Sequence, residues 1–183
     1  MNQRLALHVL ASGSRGNAAV VEDTATGKGV LVDCGICKRD FFARCDEAGF
    51  DPANLEAVLI THDHTDHTKG LGVVLRGLAK LGIEPAVFAD DAVRAASKEI
   101  IVLEGACDLR AFSSGDALSL AGMQVHAFRT SHDAASSCGF RVEADGDAVG
   151  FMTDTGIVTG EADEALRDVR ILALESNHAV QML

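Results

Sequence analysis

The stretch Leu55-Glu56-Ala57-Val58-Leu59-Ile60-Thr61-His62-Asp63-His64-Thr65-Asp66-His67 decides the fold. Its first part, Leu55 to Thr61, is a compact apolar run of strand length, and a strand without alternation is one covered on both faces. Directly behind it, three histidines and two aspartates fall between His62 and His67. Neutral imidazole and carboxylate oxygen are both good ligands for zinc-like cations. In a loop leaving a buried strand, His62 and His64 can converge on one cation while Asp66 and His67 turn toward a second.

Working outward, Leu5 to Ala11 reads as a strand and leads into the loop Ser12-Gly13-Ser14-Arg15-Gly16-Asn17. Ala18 to Glu22 and Val30 to Asp33 read as strands joined through a turn at Thr26-Gly27. The spacing of Phe41, Phe42 and Cys45 predicts a helix over Cys37 to Ala48, ended by Gly49. A helix over Leu71 to Leu81 is followed by a strand at Ala86 to Ala89 and a short helix over Asp91 to Lys98. Residues 117–121, 123–130, 138–144 and 147–153 read as strands, with Gly146 between Asp145 and Asp147 marking a hairpin. A helix over Glu161 to Arg167 and a strand at Ile171 to Leu174 complete the order. Strands first, helix–strand units in the middle and strands again fit an α/β protein with two mixed sheets between helices.

The totals agree with that layering. A chain of 183 residues with 48% apolar and 23% charged side chains is long enough for one domain with a real core, taken here as 1–183. No apolar run nears the roughly 18 residues of a membrane span. The N-terminus reads as a strand and not as a signal peptide, and five cysteines without such a signal fit reduced packing thiols in the cytoplasm. The net charge of −11 is uneven: residues 81–183 carry 7 basic and 17 acidic side chains. Such a surface does not attract polyanions as a whole. His8 and His126 lie inside strands and read as packing or surface residues.

Val32-Asp33-Cys34-Gly35 followed by Thr61-His62-Asp63-His64-Thr65-Asp66-His67 resembles the first two motifs of the metallo-β-lactamase superfamily. Thr130-Ser131-His132-Asp133 and Thr153-Asp154-Thr155-Gly156, each behind an expected strand, are similar to its third and fourth. The resemblance implies an αββα sandwich of two mixed sheets binding two divalent cations, zinc or manganese. It implies that His62, His64 and His132 hold the first cation, that Asp66 and His67 serve the second, and that Asp154 bridges them. Asp33 would support the histidine loop without being a ligand. Ser12-Gly13-Ser14-Arg15-Gly16-Asn17 and Glu175-Ser176-Asn177-His178 narrow the likeness to the bacterial YycJ/WalJ branch, associated with 5′-to-3′ exonuclease activity on DNA.

The expectation is therefore a metal-dependent hydrolase, a phosphodiesterase or 5′-to-3′ DNA exonuclease. A cation pair would lower the pKa of a shared water and clamp a phosphate oxygen. Asp66 and Asp154 would be its catalytic carboxylates, and Ser14, Asn17 and His178 the substrate-binding side chains. With no Tyr or Trp, base stacking would fall to the eight phenylalanines or to an arginine face. The alternatives are a thioesterase or persulfide dioxygenase of the same superfamily, or a catalytically silent metal-binding domain. The family's last metal-ligand histidine lies beyond the Glu-Ser-Asn-His segment, and this chain ends at Leu183. The resemblance thus implies a C-terminally shortened chain, an incomplete second site and a possible homo-oligomer formed through an uncovered sheet edge.

Overall fold

The computed structural model describes residues 3–174. Six strands form the first sheet: β1 Leu5–Ala11, β2 Ala18–Asp23, β3 Lys28–Val32, β4 Leu55–Leu59, β5 Ala86–Ala89 and β6 Leu109–Ala111, paired in chain order. The first three strands are antiparallel and β3 to β6 are parallel, so the sheet is mixed. The second sheet contains β7 Ala117–Leu120, β8 Met123–Arg129, β9 Cys138–Ala144, β10 Asp147–Met152 and β11 Ile171–Leu174. It is antiparallel except where β10 runs parallel to β11.

Side-chain alternation explains the layers. In β3, Val30 and Val32 face the second sheet and pack with Met123, Val125, Phe140 and Val149. Leu31 points the other way and joins Val20, Val58 and Ile60 beneath the helices. Those helices are α1 Lys38–Ala48, α3 Leu71–Ala79, α4 Asp91–Ala96 and α5 Lys98–Ile101. Phe41 and Cys45, one turn apart on α1, are buried against that face, as are Leu71, Val74 and Leu78 of α3. Beyond the second sheet, α6 Gly160–Ala165 sets Ala162 against Phe128 and Met152. The order from one side to the other is helix, sheet, sheet, helix. The remaining helix, α2 Thr65–Thr68, lies inside the histidine segment.

Turns follow their residues. Gly49, at φ 76°, closes α1 with its N–H on the Asp46 carbonyl, and Phe50 N–H reaches back to Cys45. Asp145 (φ 47°) and Gly146 (φ 78°) both occupy the left-handed region, as the two-residue hairpin joining β9 and β10 demands. Differences from the sequence reading are local. The expected helix over 91–98 is broken at Ser97, whose extended ψ of 115° ends α4 and starts α5. The helix expected to reach Leu81 stops at Ala79. The edge strand β6 lies where the sequence shows no strand pattern, and α2 forms where the sequence predicts a loop.

The sheets are tied at both ends. At one end, Asp147 at the start of β10 accepts the Leu5 N–H (2.9 Å) and the Arg170 Nε–H (2.7 Å), while Arg170 also donates to the Leu5 carbonyl (2.6 Å). At the other end, His62 forms an antiparallel bridge with Ser137, and Cys138 N–H donates to the Thr61 carbonyl (3.1 Å). The chemistry-bearing residues gather at this second end.

Candidate metal centre

Parallel neighbours β3 and β4 deliver Asp33 and Thr61 side by side, just past their C-terminal ends. Asp33 is fully buried, and its φ of 60° is a conformation that aspartate tolerates better than most residues. The chain then bends through His62 and His64 into α2, which carries Asp66 and His67. α2 can approach this closely because position 35 is glycine. A Cβ on Gly35 would lie 1.5 Å from the Asp66 carbonyl oxygen and 2.8 Å from the Asn17 nitrogen.

The Asp33 carboxylate organises two histidines at once. It accepts the Thr61 N–H (2.9 Å) and the Thr61 hydroxyl (2.8 Å to Oδ2), and it takes the Nδ1–H of His67 (2.8 Å). A hydroxyl has one proton, and Thr61 gives it to the carboxylate. Toward His62 Nδ1, 2.9 Å away, Thr61 Oγ1 can therefore only accept. Both imidazoles are thereby held with Nδ1 protonated and Nε2 turned away from Asp33. The sequence pointed to Asp33 as a support; nothing in it marked Thr61 as the relay.

The second sheet completes the cluster. His132 follows β8 and stands with Nε2 3.1 Å from His64 Nδ1. Asp154 follows β10, again at positive φ (51°), with Oδ2 2.9 Å from His67 Nε2. The rings of His64, His67 and His132 surround His62 at centroid distances of 4.7, 4.0 and 4.8 Å. Burial, reinforced by the neighbouring His67, pushes the His62 pKa down to about 4, so this imidazole is neutral at pH 7. Burial also pulls on His67, but Asp33 and Asp154 outweigh it and raise that pKa to about 10.

These residues fit a cation. The Nε2 of His62 is buried with no hydrogen-bond partner, an arrangement that costs free energy unless something accepts its lone pair. The 3.1 Å between His64 and His132 nitrogens is close to the roughly 3.3 Å separating two ligands of a tetrahedral ion bound at about 2.0–2.1 Å. Among the described residues, two donor groups are compact enough to hold an ion: His62, His64 and His132, and His62, His67 and Asp154. Nitrogen and carboxylate donors in this proportion suit zinc or manganese.

A profile for the beta-lactamase superfamily domain matches residues 28–182. The chain belongs to the beta-lactamase superfamily. Among relatives, it is 32% identical over 175 residues to exodeoxyribonuclease YycJ of Bacillus anthracis, covering 96% of this chain and 64% of that protein. It is 30% identical over 178 residues to exodeoxyribonuclease WalJ of Streptococcus pneumoniae, covering 96% and 63%. The chain thus spans a little under two thirds of the length of these curated relatives. A crystal structure of a diphosphatase from the PhnP family superimposes with a TM-score of 0.70 at 20% identity, covering 92% of this chain and 73% of that one, which shows a shared fold.

For this superfamily member the expected ligands separate into placements. His62, His64 and His132 come together, and His67 meets Asp154. Asp66 stands slightly apart, with Oδ2 3.6 Å from His67 Nε2, and it belongs to neither compact donor group. Asn17 reaches the same place, its Nδ2 lying 3.2 Å from Asp66 Oδ2 and 3.0 Å from His67 Nε2. Ser14 is exposed beside a cleft of about 810 Å³ lined by residues of the 10–16 segment with Ile36, Asp40 and Arg44. His178, Glu175, Ser176 and Asn177 lie outside the described residues. Asp63, given no role by the sequence reading, accepts the Ala135 N–H (2.9 Å) and so anchors the loop that carries His132. Cys34, Cys45 and Cys138 are buried, and burial raises the thiol pKa of each, to about 12 for Cys45. Among the described residues no helix is long and apolar enough to cross a membrane.

Proposed function

We propose that the chain is a metal-dependent phosphodiesterase acting on nucleic acid, of the 5′-to-3′ exodeoxyribonuclease kind. The observation that carries this reading is the convergence of His62, His64, His132, His67 and Asp154 around a buried, unpartnered imidazole nitrogen. The exodeoxyribonuclease names of YycJ and WalJ and the PhnP-family diphosphatase support the phosphoester class.

His62, His64 and His132 would hold one divalent cation and His67 with Asp154 a second, zinc or manganese in either case. Bound there, such ions lower the pKa of a water and polarise a phosphoryl oxygen. The protein's own part is orientation. Asp33 holds Nδ1 of His67 directly and that of His62 through Thr61, which leaves each Nε2 as the nitrogen that would meet a cation. Asp66, on the open side with its side chain 31% exposed, would orient the attacking water and accept its proton. Ser14 and Asn17 in the β1–β2 loop and His178 near the end of the chain would meet the phosphate backbone.

The test is hydrolysis of a 5′-phosphorylated DNA duplex and of a bis-aryl phosphodiester, each with added zinc and with added manganese. The expected result is cleavage that Asp66→Ala reduces by roughly 10²–10⁴-fold, the usual share of a positioned acid–base group. Hydrolysis of a thioester but of neither phosphodiester would move the chain to the thioesterase class.

A further inference from the structure

Helix α3 is apolar on more than the face it buries. Leu71, Val74 and Leu78 point into the core, whereas Gly72, Leu75 and Ala79, at the same helical spacing one position on, line a cleft in the outer surface of the helical layer. Ile83 and Pro85 from the turn after α3, and Val102, Leu103, Ala106 and Cys107 from the segment after α5, continue the apolar lining. The cleft encloses about 610 Å³. Beside it, Val102 is 74% exposed, and Leu81 in the turn after α3 is 63% exposed. A helix that is apolar on two sides is built to be covered on both, and apolar surface rimmed by charge marks contact with another molecule.

The charges on that rim identify the other molecule. Arg76 and Glu84 both line the cleft, and neither side chain has an ion pair or hydrogen bond to a described residue. The Arg76 guanidinium lies along the cleft wall, where a Cβ on Gly72 would be 3.4 Å from its Nη1. Asp108, the remaining charged lining residue, is already paired with Arg110 at 2.6 Å. One unpaired cation and one unpaired anion on a single cleft are self-complementary. In a two-fold contact the same patch meets itself, so each Arg76 would stand opposite the Glu84 of the other copy. The net charge of −11 opposes self-association elsewhere, but residues 71–111, which supply the whole cleft, carry 5 basic and 6 acidic side chains and are nearly neutral. We propose that the cleft between α3 and α5 is the interface of a two-fold homodimer. Val102 of each copy fills the apolar cleft of the other, and two reciprocal Arg76–Glu84 ion pairs fix the register at the rim. None of the lining residues belongs to the metal centre or to the Ser14 cleft, so both stay outside the contact.

The test is sedimentation equilibrium of the full chain from about 1 to 100 μM, the concentration range in which dimers of modest affinity form. The expected particle has twice the 19.1 kDa of one chain. Arg76→Glu and Glu84→Arg each set like charges against each other twice across the axis and should raise the dimer dissociation constant by roughly tenfold or more. The double variant Arg76→Glu/Glu84→Arg restores opposite charges with the signs exchanged and should recover most of the lost affinity. Val102→Asp places a charge in the apolar seat and should leave a monomer. All three positions are exposed, so circular dichroism of each variant should match the parent chain. A chain that stays monomeric to 100 μM overturns the proposal and leaves the cleft to a small ligand or an unrelated protein. A dimer that persists in Arg76→Glu and in Val102→Asp also overturns it, because that dimer uses another surface such as a sheet edge. Failure of the double variant to regain affinity overturns the reciprocal pairing and with it the two-fold register.

Discussion

At the scale of single residues, a few buried polar groups decide what the histidines can do. Asp33 is the clearest, because its two oxygens serve Thr61 and His67 and, through Thr61, His62. Asp33→Asn keeps the volume but replaces an acceptor-only group by one that also donates, which frees the tautomers of both imidazoles. Zinc affinity measured against a chromophoric chelator should fall roughly 10–100-fold in this variant, with the fold retained. Unchanged affinity would mean that the tautomers are set elsewhere. His62, His64, Asp66 and His67 were legible in the sequence because H-x-H-x-D-H concentrates ligand types behind a buried strand. Asp33, His132 and Asp154 entered only through family resemblance. Thr61 and Asp63 were not legible as supports, since their hydrogen-bond partners lie 28 and 72 positions away.

Elements show the same division between what is local and what is assembled. β3 and β4 could be read from their apolar runs, and the hairpin between β9 and β10 from Asp145-Gly146, because those signals are contained in the segments. β6 escaped notice: three residues, Leu-Arg-Ala, paired on one edge carry no periodicity. α2 is similarly short, and its helical turn comes from docking against Gly35 and not from propensity. The junction of β10 with β1 yields a pH prediction. The Arg170 hydrogen bonds, opposed by burial and helped by the Leu5 N–H, hold the Asp147 carboxyl at about 2, below the ordinary 3.8. A carboxyl lowered on folding stabilises the folded state at pH values above its unfolded pKa, and the contribution disappears as pH falls through the folded one. Asp147→Asn should therefore lower the thermal midpoint at pH 7 by roughly 5 °C, and the gap from the parent chain should close between about pH 4 and pH 2. Circular dichroism melts across that range provide the check. A gap that persists undiminished at pH 2 would contradict the assignment.

Across the whole molecule, charge constrains how the nucleic-acid substrate proposed above could be bound. The net charge of −11 repels a polyanion at long range, so the proposed DNA binding would rest on the centre and on nearby cations such as Arg15 and Arg44 beside the Ser14 cleft. With about two phosphates neutralised, the logarithm of the DNA binding constant should fall by only about two per decade of salt. Filter binding or anisotropy at several salt concentrations measures it, and a slope steeper than about −5 would require more phosphate contacts than the centre and these two arginines supply.

His62, His64 and His67 leave the first sheet, whereas His132 and Asp154 leave the second, so the complete donor set exists only after the two sheets have docked. Contacts between such distant positions close long loops and form late on the folding route. A cation that recognises the full set therefore stabilises the native state and leaves the transition state nearly untouched. In a stopped-flow chevron, saturating zinc should lower the unfolding limb while the refolding limb stays where it was in metal-free buffer. The centre would then confer persistence on a folded chain without hastening its formation, and loss of metal would be felt first as a shorter lifetime of the native state.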